Sequence, residues 1–240
     1  MTRSSANSRP IMDRRLPFPS PDDLQEPGRA RQAAEQLVAL VDEWKASDDD
    51  GTLLRPEVTE QDLRRIDALA YAYFGLSREE VALIEDTVEA VLPALQPHEG
   101  HLPRLWSEPT AAQRGAYAEM LNKSLSPWFR SSGLSVALVA RNSDYGVLQL
   151  RLDASEPYFE AEDGDFEAVL ARLGDHLHQP LDGNFQLTPD LRVFVGGSLF
   201  LIKPLQLRFW LRWSALGDAD EIALDLQQLV HTSERWSAAE

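Results

Sequence analysis

The spacing of apolar residues changes close to Gly133, and this change constrains the fold of the chain more than any other feature. Before Gly133, apolar residues recur three or four positions apart in residues 29–44, 63–91 and 111–129, which is typical of amphipathic helices. Beyond Gly133 the pattern is no longer helical. A chain of this kind is expected to have a helical first part and a mixed second part.

Gly75 and Ser77 divide the second helical stretch in two. Glycine tolerates the left-handed dihedral angles that follow a helix C-terminus, so Gly75 is expected to end a helix that begins after Thr59. Ser77 and Glu80 have the spacing of a capping box, in which each side chain accepts a free amide of the next helix. The two segments are therefore predicted to form a helical hairpin.

The second part of the chain contains two signals for β-hairpins. Residues 134–140 and 146–152 are β-rich runs joined by a short polar connector. Residues 191–195 and 199–202 flank a Gly-Gly-Ser turn. A short helix from Phe166 separates the two hairpins, and a final helix, with a break near Gly217, is predicted from about Gln206. This order predicts an α+β fold, with the helical hairpin packed against an antiparallel, hairpin-rich part and a C-terminal helix.

Composition along the chain suggests four parts. The first residues are rich in Pro and Arg and lack the apolar run of a signal peptide, so residues 1–28 are predicted to be a flexible arm. A helical part over 29–132 and an α+β part over 133–232 follow. Residues 233–240 are predicted to be a tail.

The charge of the chain limits its partners. The 39 acidic residues exceed the 23 Lys and Arg, and the net charge is −16, so bare DNA is repelled on average. Cysteine is absent, which excludes disulfides and thiolate metal sites. No stretch has the roughly 20 apolar residues of a membrane span. We expect a cytoplasmic protein.

The motifs of several enzyme classes are missing from the sequence. It has neither the glycine-rich turn of a cofactor-binding methyltransferase nor the Gly-x-Ser-x-Gly elbow of a serine hydrolase. His176 and His178 have a metal-ligand spacing, but only Asp175 and Asp182 are near them as further ligands. We therefore expect no catalytic residue, cofactor or metal, and a protein that is not an enzyme.

One window of the chain is basic and aromatic. No acidic residue lies between Asp190 and Asp218, and this window contains the candidate nucleic-acid or partner-binding residues Lys203, Arg208, Trp210, Arg212 and Trp213. Arginine and tryptophan can pair with phosphate and stack on bases, and both are enriched at protein interfaces. Alternatively, the aromatic residues belong to the core and the arginines line a solvated helix face.

Two segments resemble a known family. Residues 66–81 (IDALAYAYFGLSREEV) resemble the IDxLVYxLYGLTxEEI signature near the C-terminus of many type II and phage-defence N-6 adenine DNA methyltransferases. Residues 201–210 (LIKPLQLRFW) and 215–222 (ALGDADEI) are similar to a closing element in some of these proteins and in their stand-alone neighbours. The resemblance extends in patches over about 59–228 and omits the methyltransferase core.

This resemblance implies association with a DNA-modification apparatus rather than methyl transfer, because the family's catalytic residues have no counterparts here. It implies an accessory or scaffold subunit of a restriction-modification or antiphage complex. The expected partner is a larger DNA-acting protein, such as a methyltransferase, helicase or nuclease, and DNA could be reached through the complex. Residues of the helical hairpin are then candidates for partner binding: Tyr71, Tyr73, Phe74 and Arg78.

Two other classes of function remain open from the sequence. The acidic runs at residues 48–50 and 156–165 would suit an acidic DNA mimic or regulatory binding protein that occupies the groove of a DNA-binding protein. An enzyme with an unrecognised site would need a deep pocket with perturbed carboxylates or histidines.

Overall fold

The chain folds as an α+β protein, as predicted. The computed structural model describes residues 18–47, 59–95, 104–128, 134–152, 158–160, 164–177, 191–195 and 197–237. Its contacts divide the chain into two compact units, Met1–Arg78 and Glu79–Glu240. The described part of the first unit is helical, and the second unit combines helices with a β-sheet.

Two helices pack against each other in the first unit, α1 (Pro27–Ser47) and α2 (Glu60–Phe74). Thr59 and Asp62 begin α2 as a capping box: the Thr59 hydroxyl accepts the Asp62 N–H (3.2 Å), and the Asp62 carboxylate accepts the Thr59 N–H (3.0 Å). Hydrogen bonds from the Thr59 hydroxyl and amide lower the pKa of Asp62. Gly75 ends α2 with a φ of 64°, in the left-handed region.

Part of the predicted flexible arm packs against α2 or belongs to α1, and residues 1–17 lie outside the described residues. The ring of Phe18 packs on Tyr73, with centroids 5.1 Å apart. The Tyr73 hydroxyl donates a hydrogen bond to the Pro19 carbonyl (2.7 Å). Aromatic packing and this hydrogen bond hold the segment that precedes α1 against α2.

The second unit contains a five-stranded sheet in the order β3-β1-β2-β5-β4. Its strands are β1 (Leu134–Arg141), β2 (Tyr145–Leu152), β3 (Tyr158–Glu160), β4 (Leu191–Val195) and β5 (Ser198–Pro204). Both predicted hairpins, β1–β2 and β4–β5, are present, and antiparallel pairing of β2 with β5 joins them. The short strand β3, which pairs with β1 in parallel, was not predicted.

The described part of the second unit also contains five α-helices. They are α3 (Arg78–Asp86), α4 (Leu92–Leu95), α5 (Ala111–Leu125), α6 (Phe166–Leu177) and α7 (Arg212–Ser237). A π-helical turn, Thr87–Val91, connects α3 to α4. Short 3-10 turns at Arg104–Trp106 and Leu207–Phe209 precede α5 and α7.

The sheet is covered on both faces. Side chains of α5 and α7 pack on one face, and side chains of α6 pack on the other. The register of β1 with β2 shifts between Leu138 and Ala140, which forms a bulge. Because of this shift, Leu138 packs in the core beside α5 and α7, and Ala140 packs in the core beside α6. Gly164 lies against this bulge: a Cβ atom there would be 1.8 Å from the Val139 carbonyl oxygen, so only glycine fits.

The division of the chain differs from the predicted boundaries. The predicted helical part, 29–132, is split at Arg78, so α2 and α3 belong to different units. Its later helix, α5, belongs with the sheet because it packs on β1 and α7. An element's partners in space, rather than the local change of pattern near residue 133, therefore set the boundary.

The C-terminal helix also differs from the prediction. It begins at Arg212 rather than near Gln206, because residues 207–209 form a 3-10 turn. It continues through Gly217 without a break and includes residues 233–237 of the predicted tail. Gly217 is exposed and one isolated glycine costs only about 1 kcal/mol relative to alanine, so packing on both sides of it maintains the helix.

Candidate interaction surface

Asp86 links the end of α3 to the beginning of α7. Its carboxylate accepts the backbone N–H of Trp213 (3.0 Å) and the Nε–H of Arg212 (2.9 Å). Trp213 is the second residue of α7, and amides in a first helical turn have no partner within the helix. Asp86 is only 6% exposed. A buried carboxylate from one helix thus caps another helix.

The guanidinium of Arg212 is held by two carboxylates. Its Nη1 atom lies 2.5 Å from Glu85 and its Nη2 atom 2.8 Å from Asp86. Partial burial lowers the pKa of Arg212, but the hydrogen bonds to Glu85 and Asp86 outweigh burial, and the pKa lies above its ordinary value. These two carboxylates leave little net positive charge here for a phosphate group.

Replacing Asp86 by Ala is expected to lower the free energy of unfolding by about 2–3 kcal/mol, because both the cap of α7 and the buried partner of Arg212 are lost. Glu85→Ala is the matched control: it removes only the outer partner of Arg212 and should cost about 1 kcal/mol or less. Urea denaturation followed by circular dichroism measures both. Equal losses for the two variants would contradict the capping role.

Two of the predicted surface residues, Lys203 and Trp210, lie in the core instead. Lys203 is 1% exposed, and its ammonium donates to Asp218, which also accepts the Tyr117 hydroxyl. Trp210 is 1% exposed, and its indole Nε1–H donates to the Pro204 carbonyl (2.7 Å). Neither side chain can meet DNA or a partner in this fold. Lys203 enters the core because a buried carboxylate receives its charge.

Arg208 differs from the other basic residues of the window. Its guanidinium carbon lies 3.9 Å from the centroid of the Trp106 ring and 4.5 Å from that of Phe209. The Arg208 Nε atom is buried and has no hydrogen-bond partner among the described residues. Trp106 is 57% exposed. An arginine stacked on an exposed tryptophan thus lies at the molecular surface.

Several contacts fix Trp106 and Arg208 next to the π-turn and α7. The Leu207 amide donates to the Ser107 carbonyl (2.8 Å), which ties the two 3-10 turns together. A small apolar core joins these two turns to the π-turn and to the residue that precedes α7. It consists of Ala90, Leu105, Leu207 and Leu211. The elements that contact one another here expose several large side chains. We refer to this set as the Trp106 surface: Val88, Leu92, Trp106, Arg208 and Trp213.

The helices beside the Trp106 surface are acidic. Only Arg78 is basic between residues 78 and 95, whereas the acidic residues are Glu79, Glu80, Glu85, Asp86 and Glu89. Arg212 is already paired with two of them. This side of the second unit therefore suits a cationic partner better than a polyanion.

Arg192, at the beginning of the basic window, is also paired. Its guanidinium contacts Glu221 and lies 2.8 Å from Asp225, both on α7. Partial burial by itself would lower the pKa of Arg192. The hydrogen bond to Glu221 and the charges of these carboxylates outweigh burial, so the pKa lies above its ordinary value. The basic window is thus not a continuous basic surface, since Arg192, Lys203 and Arg212 are each paired with acids.

The second set of predicted binding residues lies around the end of α2. Tyr73 is buried in the core of the first unit, where its hydroxyl is bonded to Pro19. Phe74 is 41% exposed and packs edge-on against Tyr73, Tyr71 is half-buried, and Arg78 is exposed. Tyr73 therefore has a structural role, whereas Phe74 and Arg78 are accessible.

Sequence reasoning missed Trp106 and Asp86. Trp106 lies in a Pro-rich stretch between Pro103 and Pro109, and a tryptophan in such a stretch is the available signal. Asp86 is one of many acids in the sequence, and nothing local distinguishes it. Asp165, from the acidic run at residues 156–165, accepts the backbone N–H of Glu167 (3.0 Å) at the start of α6. His178, one of the two histidines with a metal-ligand spacing, lies outside the described residues.

Comparison with protein-family models, with curated proteins and with solved structures gave no match. In the described parts of the chain, no helix has the length and apolar character required to cross a membrane. The same residues contain no group of three potential metal ligands.

Proposed function

We propose that this protein is a non-catalytic accessory or scaffold subunit of a bacterial restriction-modification or antiphage defence complex. It binds a larger DNA-acting protein through the Trp106 surface. The observation that carries the proposal is the stacking of half-buried Arg208 on exposed Trp106, with the guanidinium carbon 3.9 Å from the ring centroid. Tryptophan and arginine are the residue types that most often dominate the energy of protein–protein interfaces.

The setting of this pair supports a protein partner. Trp213 is 45% exposed, Val88 55% and Leu92 47%, so α7, the π-turn and α4 each present a large apolar side chain to solvent. Trp106 and Arg208 are held in one arrangement by their stacking, and less side-chain entropy is then lost on binding. A partner would cover apolar area and could supply an acceptor to the guanidinium.

Charge favours a DNA-acting protein over DNA itself as the direct partner. Proteins that bind DNA present clusters of Lys and Arg, and this chain carries a net charge of −16. Acidic residues beside the Trp106 surface would attract a basic partner and speed association. DNA contact by this chain would then occur only within the complex.

The resemblance of residues 66–81, 201–210 and 215–222 to the non-catalytic region of adenine DNA methyltransferases supports this class of partner. That region lies next to the catalytic core in the family, and a separate chain with the same pattern would be expected to dock on such a core. The candidate partners are therefore a methyltransferase, a helicase or a nuclease.

Co-expression with a DNA-acting protein encoded by a neighbouring gene tests the proposal. We expect stoichiometric co-purification, and we expect Trp106→Ala or Arg208→Ala to weaken the complex about tenfold or more. Arg104→Ala, on the same 3-10 turn, and Trp128→Ala, an exposed tryptophan elsewhere, are the matched controls and should bind normally. Affinities are measured by isothermal titration calorimetry.

Other outcomes would favour the alternative functions. If the chain alone competes with DNA for the groove of a DNA-binding protein, and Trp106→Ala has no effect, the acidic DNA mimic gains support. Hydrolysis of DNA or of a nucleotide by the purified chain would overturn the non-catalytic role.

A further inference from the structure

An apolar cleft opens in the second unit at the end of the sheet where β5 begins. It has a volume of about 230 Å³. Helices α5 and α7 provide one side of it, and the sheet and the β4–β5 turn provide the other. The Trp106 surface lies toward the other end of β5, so the cleft is a separate site and its role does not depend on the proposed function.

The wall of the cleft is almost entirely hydrocarbon. Its deep part is formed by side chains that are at most 8% exposed, namely Leu125, Leu134, Leu150, Leu199 and Ile222. Phe194, 37% exposed, stands at its mouth. Ser198 is the one residue with a polar side chain among the described lining residues, and its hydroxyl accepts a hydrogen bond from Gln149 (3.1 Å).

We propose that this cleft binds a small uncharged hydrocarbon ligand, such as an aromatic ring with a short alkyl chain. A charged or strongly polar molecule would lose its hydration without gaining partners from this wall. Apolar cavities do not hold ordered water well, and a cavity of about 150 Å³ lined by similar side chains is sufficient for benzene. The larger volume here leaves space for an alkyl substituent as well.

The ligand would join parts of the second unit that are distant in sequence. Leu125 belongs to α5, Ile222 to α7, and Val195 to the β4–β5 hairpin. A molecule in contact with all three favours the arrangement in which they surround it, so binding is expected to stabilise the folded state.

n-Butylbenzene is a suitable probe, added to the full chain labelled with ¹³C at Leu, Val and Ile methyl groups. We expect saturable shift changes at Leu125, Leu150, Leu199 and Ile222, and none at Val88 or Leu92. The unfolding midpoint should rise by about 4 °C when the probe is at tenfold its dissociation constant. Absence of shifts at saturation, or shifts mainly outside the cleft, would overturn the proposal.

Two variants that fill the cleft from opposite sides provide the second test. Leu226→Trp on α7 and Val195→Phe on β4 should each weaken probe binding about tenfold or more, since the added rings occupy the ligand's space. Leu224→Trp, also on α7 but 57% exposed and not lining the cleft, should bind as the unchanged chain does. Equal binding by all three folded variants would show that the probe does not occupy the cleft.

4-Butylbenzoate, which carries a carboxylate at neutral pH, tests the chemical class. It should bind at least about tenfold more weakly than n-butylbenzene, because the described residues that line the cleft include no cation to receive the charge. Comparable affinity for the two probes would contradict an uncharged ligand.

Discussion

Replacing Lys203 by Met is expected to lower the free energy of unfolding by about 3–5 kcal/mol. The ammonium of Lys203 is the cation that pairs with Asp218, and both side chains are buried where α7 crosses β5. Met fills a similar volume but removes the ammonium that contacts the Asp218 carboxylate in the core. Urea denaturation of the two chains at neutral pH measures the loss.

A second substitution separates this charge effect from lost packing. Asn at position 218 carries no charge and can still accept the hydrogen bond that Tyr117 donates to Asp218. The double variant Lys203→Met/Asp218→Asn should therefore be more stable than Lys203→Met alone. If the double variant is equally unstable or less stable, the loss arises from packing rather than from the unpaired charge.

Trp210→Ala is expected to lower the free energy of unfolding by a similar amount, about 3–5 kcal/mol. The indole of Trp210 is buried between the sheet and α5, and its ring centroid lies 5.3 Å from that of Tyr117. Gly146 makes room for it, since a Cβ atom there would be 3.3 Å from Trp210 Cζ2. Removing the indole leaves a cavity and takes away the hydrogen bond that Trp210 donates to the Pro204 carbonyl.

Trp213→Ala is the matched control, because the two tryptophans are neighbours in sequence but Trp213 is 45% exposed. It should change stability by about 0.5 kcal/mol or less, while weakening the complex with the proposed partner. Thermal and urea unfolding measure the stability, and calorimetry with the partner measures the binding. Equal destabilisation by the two substitutions would contradict the division between core and surface.

The ends of α2 and the two hairpins could be predicted because the groups that form them are close in sequence. Thr59 and Asp62 complete a capping box within one turn, and Gly75 has the left-handed conformation that ends α2. The connector between β1 and β2 and the turn between β4 and β5 are likewise local. The pairing of β2 with β5 could not be predicted, since it joins segments separated by α6.

The basic-aromatic window shows most clearly what the sequence left open. Lys203, Arg208 and Arg212 are close together and carry the same charge, yet one is buried, one is stacked on Trp106, and one is paired with Glu85 and Asp86. The Arg212 partner Asp86 is 126 positions away in the chain. Charge and spacing alone could not distinguish these three environments.

The sequence by itself determined the α+β class, the ends of α2, the two hairpins and the large negative charge, because local residue types and their periodicity fix these features. Only the tertiary structure decided which side chains of one basic, aromatic segment face solvent. It moved Lys203 and Trp210 into the core and brought Trp106 to Arg208 at the surface. The physical reason is that the environment of a side chain depends on all the elements that pack around it, and most of those lie far away in the chain.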